Sequence, residues 1–383
     1  LGQVRDRVVF EHNRLPNYVC TETVERRYYS RGIRGKPTCE GLGADRNASQ
    51  QLRLDKTDRL RLNVLVQDGI ETLAWTGTAP AEHGVEDVLN SGSIGTGPAA
   101  THLLELFTNP ALHFRLLSDP LGVLSYGFRM TEKDSQYRVW AAGRWVAVGY
   151  GGSIQVASDP SRLLRLDLQT DELPASSGMC QESTVLGFDE KQSSRFSWLV
   201  PVYSRTRNID PDGTEIDRLT EISACRESSG NPPPAPAPRG QPLPVGLRLI
   251  LSLDQEIDSD TAAAGDRIRA TVAVDPDGIT DPKYVGAKVT GRIVESTIDV
   301  QRQTFLVTLA FDTFEQNGEQ RPFFAEIINP FTRKAAPSRQ TRLKGNGVQD
   351  WPHGTLDFQS LRRNDHYLVP ARSAAGWITV QSR

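Results

Sequence analysis

The stretch Ser228–Pro244, SSGNPPPAPAPRGQPLP, constrains this chain more than any other, because seven of its seventeen residues are proline. Each proline fixes φ at about −65° and removes a backbone donor, so the stretch enters neither a helix interior nor a central strand. It reads as a semi-rigid, polyproline-type spacer that advances about 3 Å per residue where extended. The expected organisation is therefore 1–227, a linker over 228–244, and 245–383. The chain has 383 residues, and each half is long enough to bury its own core.

Ahead of the spacer, hydrophobic periodicity predicts mostly long strands. Leu1–Arg14 carries Leu1, Val4, Val8 and Val9 on one side, which predicts an amphipathic helix ended by Pro16. Asn17–Ser30 reads as a strand. Leu52–Gln67 alternates most cleanly, with Leu60, Leu62, Val64 and Val66 on one face and Arg59, Arg61 and Asn63 on the other. Asp68-Gly69 is a hairpin signal leading to Ile70–Thr76 and Trp75. Pro98–Thr108 predicts a helix with Leu103, Leu104 and Phe107 as its stripe. His102 and Glu105 share one face of it, and the histidine is expected to be solvated or to face a partner. Beyond Ala111 strand follows strand to Cys225. About ten antiparallel strands with one or two helices make a curved, open sheet over 1–227. After the spacer, short alternating runs from Val245–Leu253 to Trp377–Val380 predict a small β-barrel or sandwich. The fold class is therefore mainly β.

The four cysteines, Cys20, Cys39, Cys180 and Cys225, all precede the spacer and show no metal-ligand spacing. They are expected to form two disulfides in an oxidising compartment, with three pairings open. The chain starts at Leu1, and a signal peptide is expected to have been removed. A net charge of −3 argues against a nucleic-acid binder. No apolar run approaches the roughly eighteen residues of a membrane-spanning helix.

Motifs that carry chemistry are missing. There is no Gly-x-Ser-x-Gly, His-Glu-x-x-His or zinc signature. The loop Gly92–Gly97 precedes a helix but lacks the Lys-Ser/Thr of a phosphate cradle. The two Asp-Pro-Asp-Gly runs, 210–213 and 275–278, are turn chemistry rather than calcium loops. Asn47-Ala48-Ser49 is a glycosylation triplet by pattern. No catalytic residue, cofactor or metal is assigned. If the open sheet holds a ligand, its lining is expected among Leu62, Val64, Val66, Trp75, Tyr126, Phe128, Leu166 and Leu168, which share strand parity within each segment. Arg333, Lys334, Arg339, Arg342 and Lys344 form a basic stretch suited to an anionic envelope polymer or protein.

Leu15–Arg26, LPNYVCTETVER, resembles the opening of a large group of uncharacterised secreted proteins from acidobacteria and related soil bacteria. Leu60–Trp75, Gly92–Gly97 and Arg144–Leu168 resemble the same group. The pattern of 1–227 also resembles the half-barrel of the LolA-like lipoprotein carriers and the RseB-type periplasmic sensors. That resemblance implies a curved sheet wrapped over helices, an acyl-binding hollow, and a periplasmic or secreted location. It further implies the pairs Cys20–Cys225 and Cys39–Cys180. The first would close almost the whole domain, for roughly 4–5 kcal/mol of chain entropy. Residues 244–330, with Gly265-Asp266 and Gly286–Arg292, resemble the β-barrel of TrbI-type envelope proteins, as a free-standing relative.

The leading expectation is a non-catalytic envelope protein that holds a lipid, lipoprotein or other apolar ligand. The alternative is a structural or protein-interaction module with no small-molecule ligand. The third is a hydrolase-type enzyme without a recognisable motif. A face filled by the chain's own side chains would count against the first, and an exposed apolar patch or open sheet edge would favour the second.

Overall fold

The computed structural model describes residues 2–12, 16–31, 39, 52–67, 70–76, 97–118, 122–157, 162–192, 197–228, 240–274, 278, 280–329, 355–359, 368–369 and 377–383. The chain is mainly β and divides into two compact units. Unit 1 is Leu1–Asp55, Leu62–Ala74 and Ala79–Pro232, and unit 2 is Lys56–Arg61, Trp75–Thr78 and Pro233–Arg383.

Unit 1 contains the helices α1 (Gly2–His12) and α2 (Gly97–Thr108). Its strands are β1 (Tyr18–Arg31), β2 (Leu52–Gln67), β3 (Ile70–Trp75), β4 (Arg115–Ser118), β5 (Val123–Met130), β6 (Arg138–Ala141), β7 (Arg144–Ala147), β8 (Tyr150–Ala157), β9 (Arg162–Thr170), β10 (Gln181–Gln192), β11 (Ser197–Ile209) and β12 (Glu215–Glu227). Antiparallel pairing runs β4–β5–β8–β9–β10–β11–β12–β1, and β1 then pairs with β2 and β2 with β3. The sheet does not close, and β4 and β3 are its edges among the described strands.

Register places Tyr126 opposite Ile154, Ile154 opposite Leu166 and Leu166 opposite Leu186. That apolar row packs against α1 and α2 through Val4, Val8, Leu103, Leu106 and Phe107. The opposite parity carries charge pairs such as Arg165–Asp167 at 2.7 Å and Arg205–Asp217 at 2.9 Å. A period of two in the strands and 3.6 in the helices therefore meet on one face of the sheet.

Two local features refine the expectation. Residues 137–150 form two of the strands expected beyond Ala111, outside the main sheet. β6 and β7 pair only with each other, around a turn at Ala142 (φ 51°) and Gly143 (φ 77°). Two consecutive residues in the left-handed region give a tight two-residue hairpin. Among the described side chains of α2, Leu103, Glu105, Leu106 and Phe107 are buried and Leu104 only half-buried, so Leu106 rather than Leu104 completes the stripe.

Unit 2 contains β13 (Arg248–Leu253), β14 (Ile257–Asp258), β15 (Arg267–Val272), β16 (Lys288–Asp299), β17 (Thr304–Gln316), β18 (Glu319–Pro322), β19 (Ala325–Asn329), β20 (Thr355–Gln359), β21 (Leu368–Val369) and β22 (Trp377–Ser382). Pairing runs β19–β22–β13–β15–β16–β17, and β17 then takes β18 and β20 along different stretches. Of the barrel or sandwich expected here, the described strands form a sheet around one core that does not close into a ring. Leu249, Leu251, Val289, Phe305, Phe314 and Val380 are buried in that core. Leu243 of the proline-rich stretch joins it, and Gly240 N–H donates to the Gln320 carbonyl.

Unit 2 also takes six residues of β2. Lys56, Thr57 and Asp58 pair with Asp299, Ile298 and Thr297 of β16. Arg61 N–H donates to the Ala264 carbonyl at 2.7 Å, Ala264 N–H to that of Arg59 at 2.8 Å, and the Arg61 guanidinium pairs with Asp266. Gly265 sits between them at φ +101°, where a Cβ would lie 2.1 Å from the Arg61 carbonyl oxygen. Only glycine tolerates that backbone and that approach.

Cys20 is bonded to Cys225 and Cys39 to Cys180, the pairs implied by the half-barrel resemblance. Both lie in unit 1. Two such bonds fit an oxidising compartment. No helix among the described residues is long and apolar enough to cross a membrane.

Candidate binding site

The helix-covered face of the unit 1 sheet is where a ligand was expected. Of the eight residues proposed to line it, Phe128, Leu166 and Leu168 are buried in one core with α1 and α2, and Tyr126 packs against them. Val64 and Val66 belong to a second cluster with Tyr18, Cys20 and Ile222. Leu62 is fully buried, and Trp75 lies in unit 2 under the Arg292 guanidinium, 5.9 Å from the ring centre. The eight thus fall into more than one cluster of buried residues. Strand parity fixes which face a side chain takes, but not which part of that face a helix covers. The basic residues 333–344, the triplet 47–49 and the loop 92–96 lie outside the described residues. So does the side chain of His102.

Further along the same face the lining turns polar. Glu22, Val24 and Arg26 of β1 stand opposite Ile222, Thr220 and Arg218 of β12, and Arg218 stands opposite Thr206 of β11. Arg26 and Arg218 are both buried. Burial lowers the Arg218 pKa; the Glu182 carboxylate opposes the shift and the Arg26 charge adds to it. Glu182 accepts from the Tyr137 hydroxyl at 2.6 Å. Burial first, then Glu182, holds that phenol protonated. Glu105 of α2 accepts from Gln136 N–H at 2.8 Å, and with burial it raises the Tyr150 hydroxyl in the same way. These acids and tyrosines are fixed among one another inside the unit, an arrangement that orients a helix on a sheet.

Glu22 differs. Neither of its carboxylate oxygens has a hydrogen-bond partner. The space bounded by Tyr18, Cys20, Glu22, Val64, Pro201 and Ile222 has no room for a water molecule. Burial, then the Glu71 charge, raises its pKa to about 8. A general acid must reach a substrate, and this one faces a sealed wall.

Openings lie on the outside. A groove of about 820 Å³ crosses β5, β8, β9 and β10, where Gly151, Gly152 and Ser153 leave the sheet bare, and Arg129, Asp167 and Asp171 edge it. Arg129 and Asp171 already pair at 2.5 Å. A second groove of about 610 Å³ lies among Thr131, Glu132, Lys133 and Ala147, beside the β6–β7 hairpin. On that hairpin Trp140 and Trp145 face each other across the strands, 55% and 62% exposed, with ring centres 5.4 Å apart and planes at 73°. The hairpin's other side packs Val139 against Val148 and Leu173. At the sheet edge, Leu116 and Leu117 of β4 are 55% and 51% exposed. None of these exposed residues was singled out from the sequence. The available signal was Arg138–Trp145, RVWAAGRW, in which apolar residues occupy both parities.

No family model and no curated protein matches the chain. Among solved structures, a LolA superfamily protein from Nitrosomonas europaea aligns over 60% of this chain and 94% of its own, at 7% identity and a TM-score of 0.26. A likeness of that size carries no argument about this chain, and the functional reading rests on its own residues.

Proposed function

We propose that this chain is a non-catalytic protein-interaction module of an extracytoplasmic compartment, and that it takes its partner on the open edge of the unit 1 sheet. One observation carries the reading. β4 pairs with β5 on one side and with no described strand on the other, and all four of its residues are exposed, Leu116 and Leu117 by more than half. An unpaired, apolar edge is a template for an added strand: main-chain hydrogen bonds give affinity and alternate side chains give specificity. The two disulfides support the compartment. Carriage of an apolar ligand is the competing reading. It requires α1 and α2 to leave the face they fill, because Phe107, Phe128, Ile154 and Leu166 now occupy one another's contact surface.

A photo-cross-linking residue at Leu116, with a control at exposed Gln169 on the outer face, tests the proposal in the native host. A discrete protein adduct at position 116, absent at Gln169 and lost when Leu117→Lys is added at unchanged melting temperature, is expected. Two results overturn it: no adduct at Leu116, or an acyl-bearing ligand that co-purifies stoichiometrically and leaves only on denaturation.

A further inference from the structure

We propose that the outer face of the unit 1 sheet carries a binding site for an uncharged polysaccharide, formed by the groove over β5, β8, β9 and β10 and by the Tyr203 ring beside it. The inference goes beyond the β4 edge and uses none of its residues. Register fixes the floor. Arg129, Gly151, Gln169 and Ser183 stand opposite one another across the four strands, and Ser153, Asp167 and Val185 form the next row. Both rows have the parity opposite to Ile154, Leu166 and Leu186, so they face away from α1 and α2. Glycine and serine keep the floor low, which leaves a groove of about 820 Å³. Three strand spacings give it about 14 Å of length, which suits a chain of sugars rather than a single one.

The chemistry of the floor selects the ligand. β8, β9 and β10 each pair with a strand on both sides, so the ladder takes up their main-chain groups and offers none to an added peptide strand. Recognition falls to side chains. Ser153, Gln169 and Ser183 line the groove, and no other described residue hydrogen-bonds to their side chains. A hydroxyl or a primary amide both donates and accepts, as a sugar hydroxyl does. Three carboxylates in the lining, Asp167, Asp171 and Glu172, stand against one guanidinium, Arg129. That excess repels a chain bearing phosphates or uronates. A cationic chain gains little, because Asp171 is already paired with Arg129 at 2.5 Å and Asp167 with Arg165 at 2.7 Å. An uncharged, hydroxyl-rich chain matches what remains.

Tyr203 adds an apolar platform. Gly187 is the next outward position of β10 after Val185 and stands opposite Tyr203 of β11. A Cβ on Gly187 would lie 1.9 Å from Cε1 and 2.7 Å from Cζ of that ring, so the ring lies across the glycine where a side chain would stand. Arg165, the partner of Asp167 in the groove, donates to the Tyr203 hydroxyl at 3.3 Å and holds the ring in place. The ring is half-buried, with one side against Gly187 and the other outward. Such a ring offers an apolar surface to the C–H face of a sugar, with polar groups beside it for the hydroxyls. Val185 and Gly187 are about 7 Å apart along the strand, so platform and groove form one surface.

Isothermal titration of the full chain with cellohexaose, chitohexaose and mannohexaose tests the proposal, with polygalacturonate as the anionic control. At least one of the uncharged oligosaccharides is expected to bind, and polygalacturonate is not. Binding should weaken at least tenfold in Gln169→Ala, which removes the amide, in Ser183→Trp, which fills the groove, and in Tyr203→Ala, which removes the platform. The Gln169 and Ser183 variants change outward-facing side chains and should melt as the parent does, so they report on the site even where Tyr203→Ala lowers stability. The proposal is overturned if none of the three oligosaccharides binds, if polygalacturonate binds more tightly than they do, or if Gln169→Ala or Ser183→Trp leaves binding unchanged. The Leu116 adduct is unaffected by these variants, so failure here is distinguishable from failure of the edge-strand reading.

Discussion

Glu22 is an acid placed where its charge is least welcome. Buried beside Glu71 with neither oxygen hydrogen-bonded, it has a pKa of about 8 against an ordinary value of 4.5. The unfolded chain gives up this proton near pH 4.5 and the folded chain holds it to about pH 8. Its contribution is therefore fully present below pH 4.5 and is lost as pH rises towards 8, by a few kcal/mol in order of magnitude. Glu22→Gln should flatten that slope, so urea unfolding at pH 5 and at pH 8.5 gives a smaller difference in the variant than in the parent. An equal slope in both would show that Glu22 does not carry it. Gly265 makes the second prediction at this scale. Gly265→Ala should cost about 3 kcal/mol, because the new Cβ meets a backbone oxygen and the φ is unfavourable as well. Chemical denaturation measures it. Gly265 stands out in the sequence beside Asp266, but the Arg61 carbonyl that demands glycine lies about two hundred residues away in the chain, beyond the reach of any local pattern.

Strand and helix periods explain most of what is seen among the elements. β2 runs Leu52–Gln67, as its alternation predicts, because polar and apolar residues keep opposite parities along most of its length. The period fails where an element packs on more than one neighbour. Leu65 of β2 is buried against the pattern, and α2 buries Glu105 among leucines, where its carboxylate accepts from Gln136 N–H. Leu106→Ala in α2 should cost about 3 kcal/mol, since the residue is 1% exposed between sheet and helix. Thermal melting of unit 1 checks it, and a change below about 1 kcal/mol would mean that α2 adds little to the core. The hairpin shows the opposite limit. Trp140 and Trp145 lie in a strand-rich stretch, yet both face outward on a hairpin that pairs with no other described strand.

For the molecule as a whole, the cross-links fall in one unit only. Cys20–Cys225 spans a separation of 205 residues and Cys39–Cys180 one of 141, whereas unit 2 contains no cysteine. Reduction should therefore lower the stability of unit 1, by roughly 4–5 kcal/mol for the longer loop alone. Calorimetry with and without reductant should show a transition that shifts and a transition that does not. A single transition that shifts as a whole would refute independent melting. A fragment covering only 240–383 lacks Lys56–Arg61 and with it the pairing to β16 and the Arg61–Asp266 contact. It should melt below the corresponding transition of the full chain.

By itself, the sequence determined the mainly β class, the presence of one or two helices, the alternation of strands such as β2 along most of their length, and the presence of two disulfides. Each follows from local chemistry: alternation, helical period, proline's missing donor and the cysteine count. Tertiary structure decided which faces meet. It placed α1 and α2 over Phe128 and Leu166, divided the eight expected lining residues among separate environments, and sealed Glu22 without a partner. It also gave six residues of one long strand to unit 2. Those outcomes depend on contacts between residues far apart in the chain, where burial is shared among elements and no single segment records it.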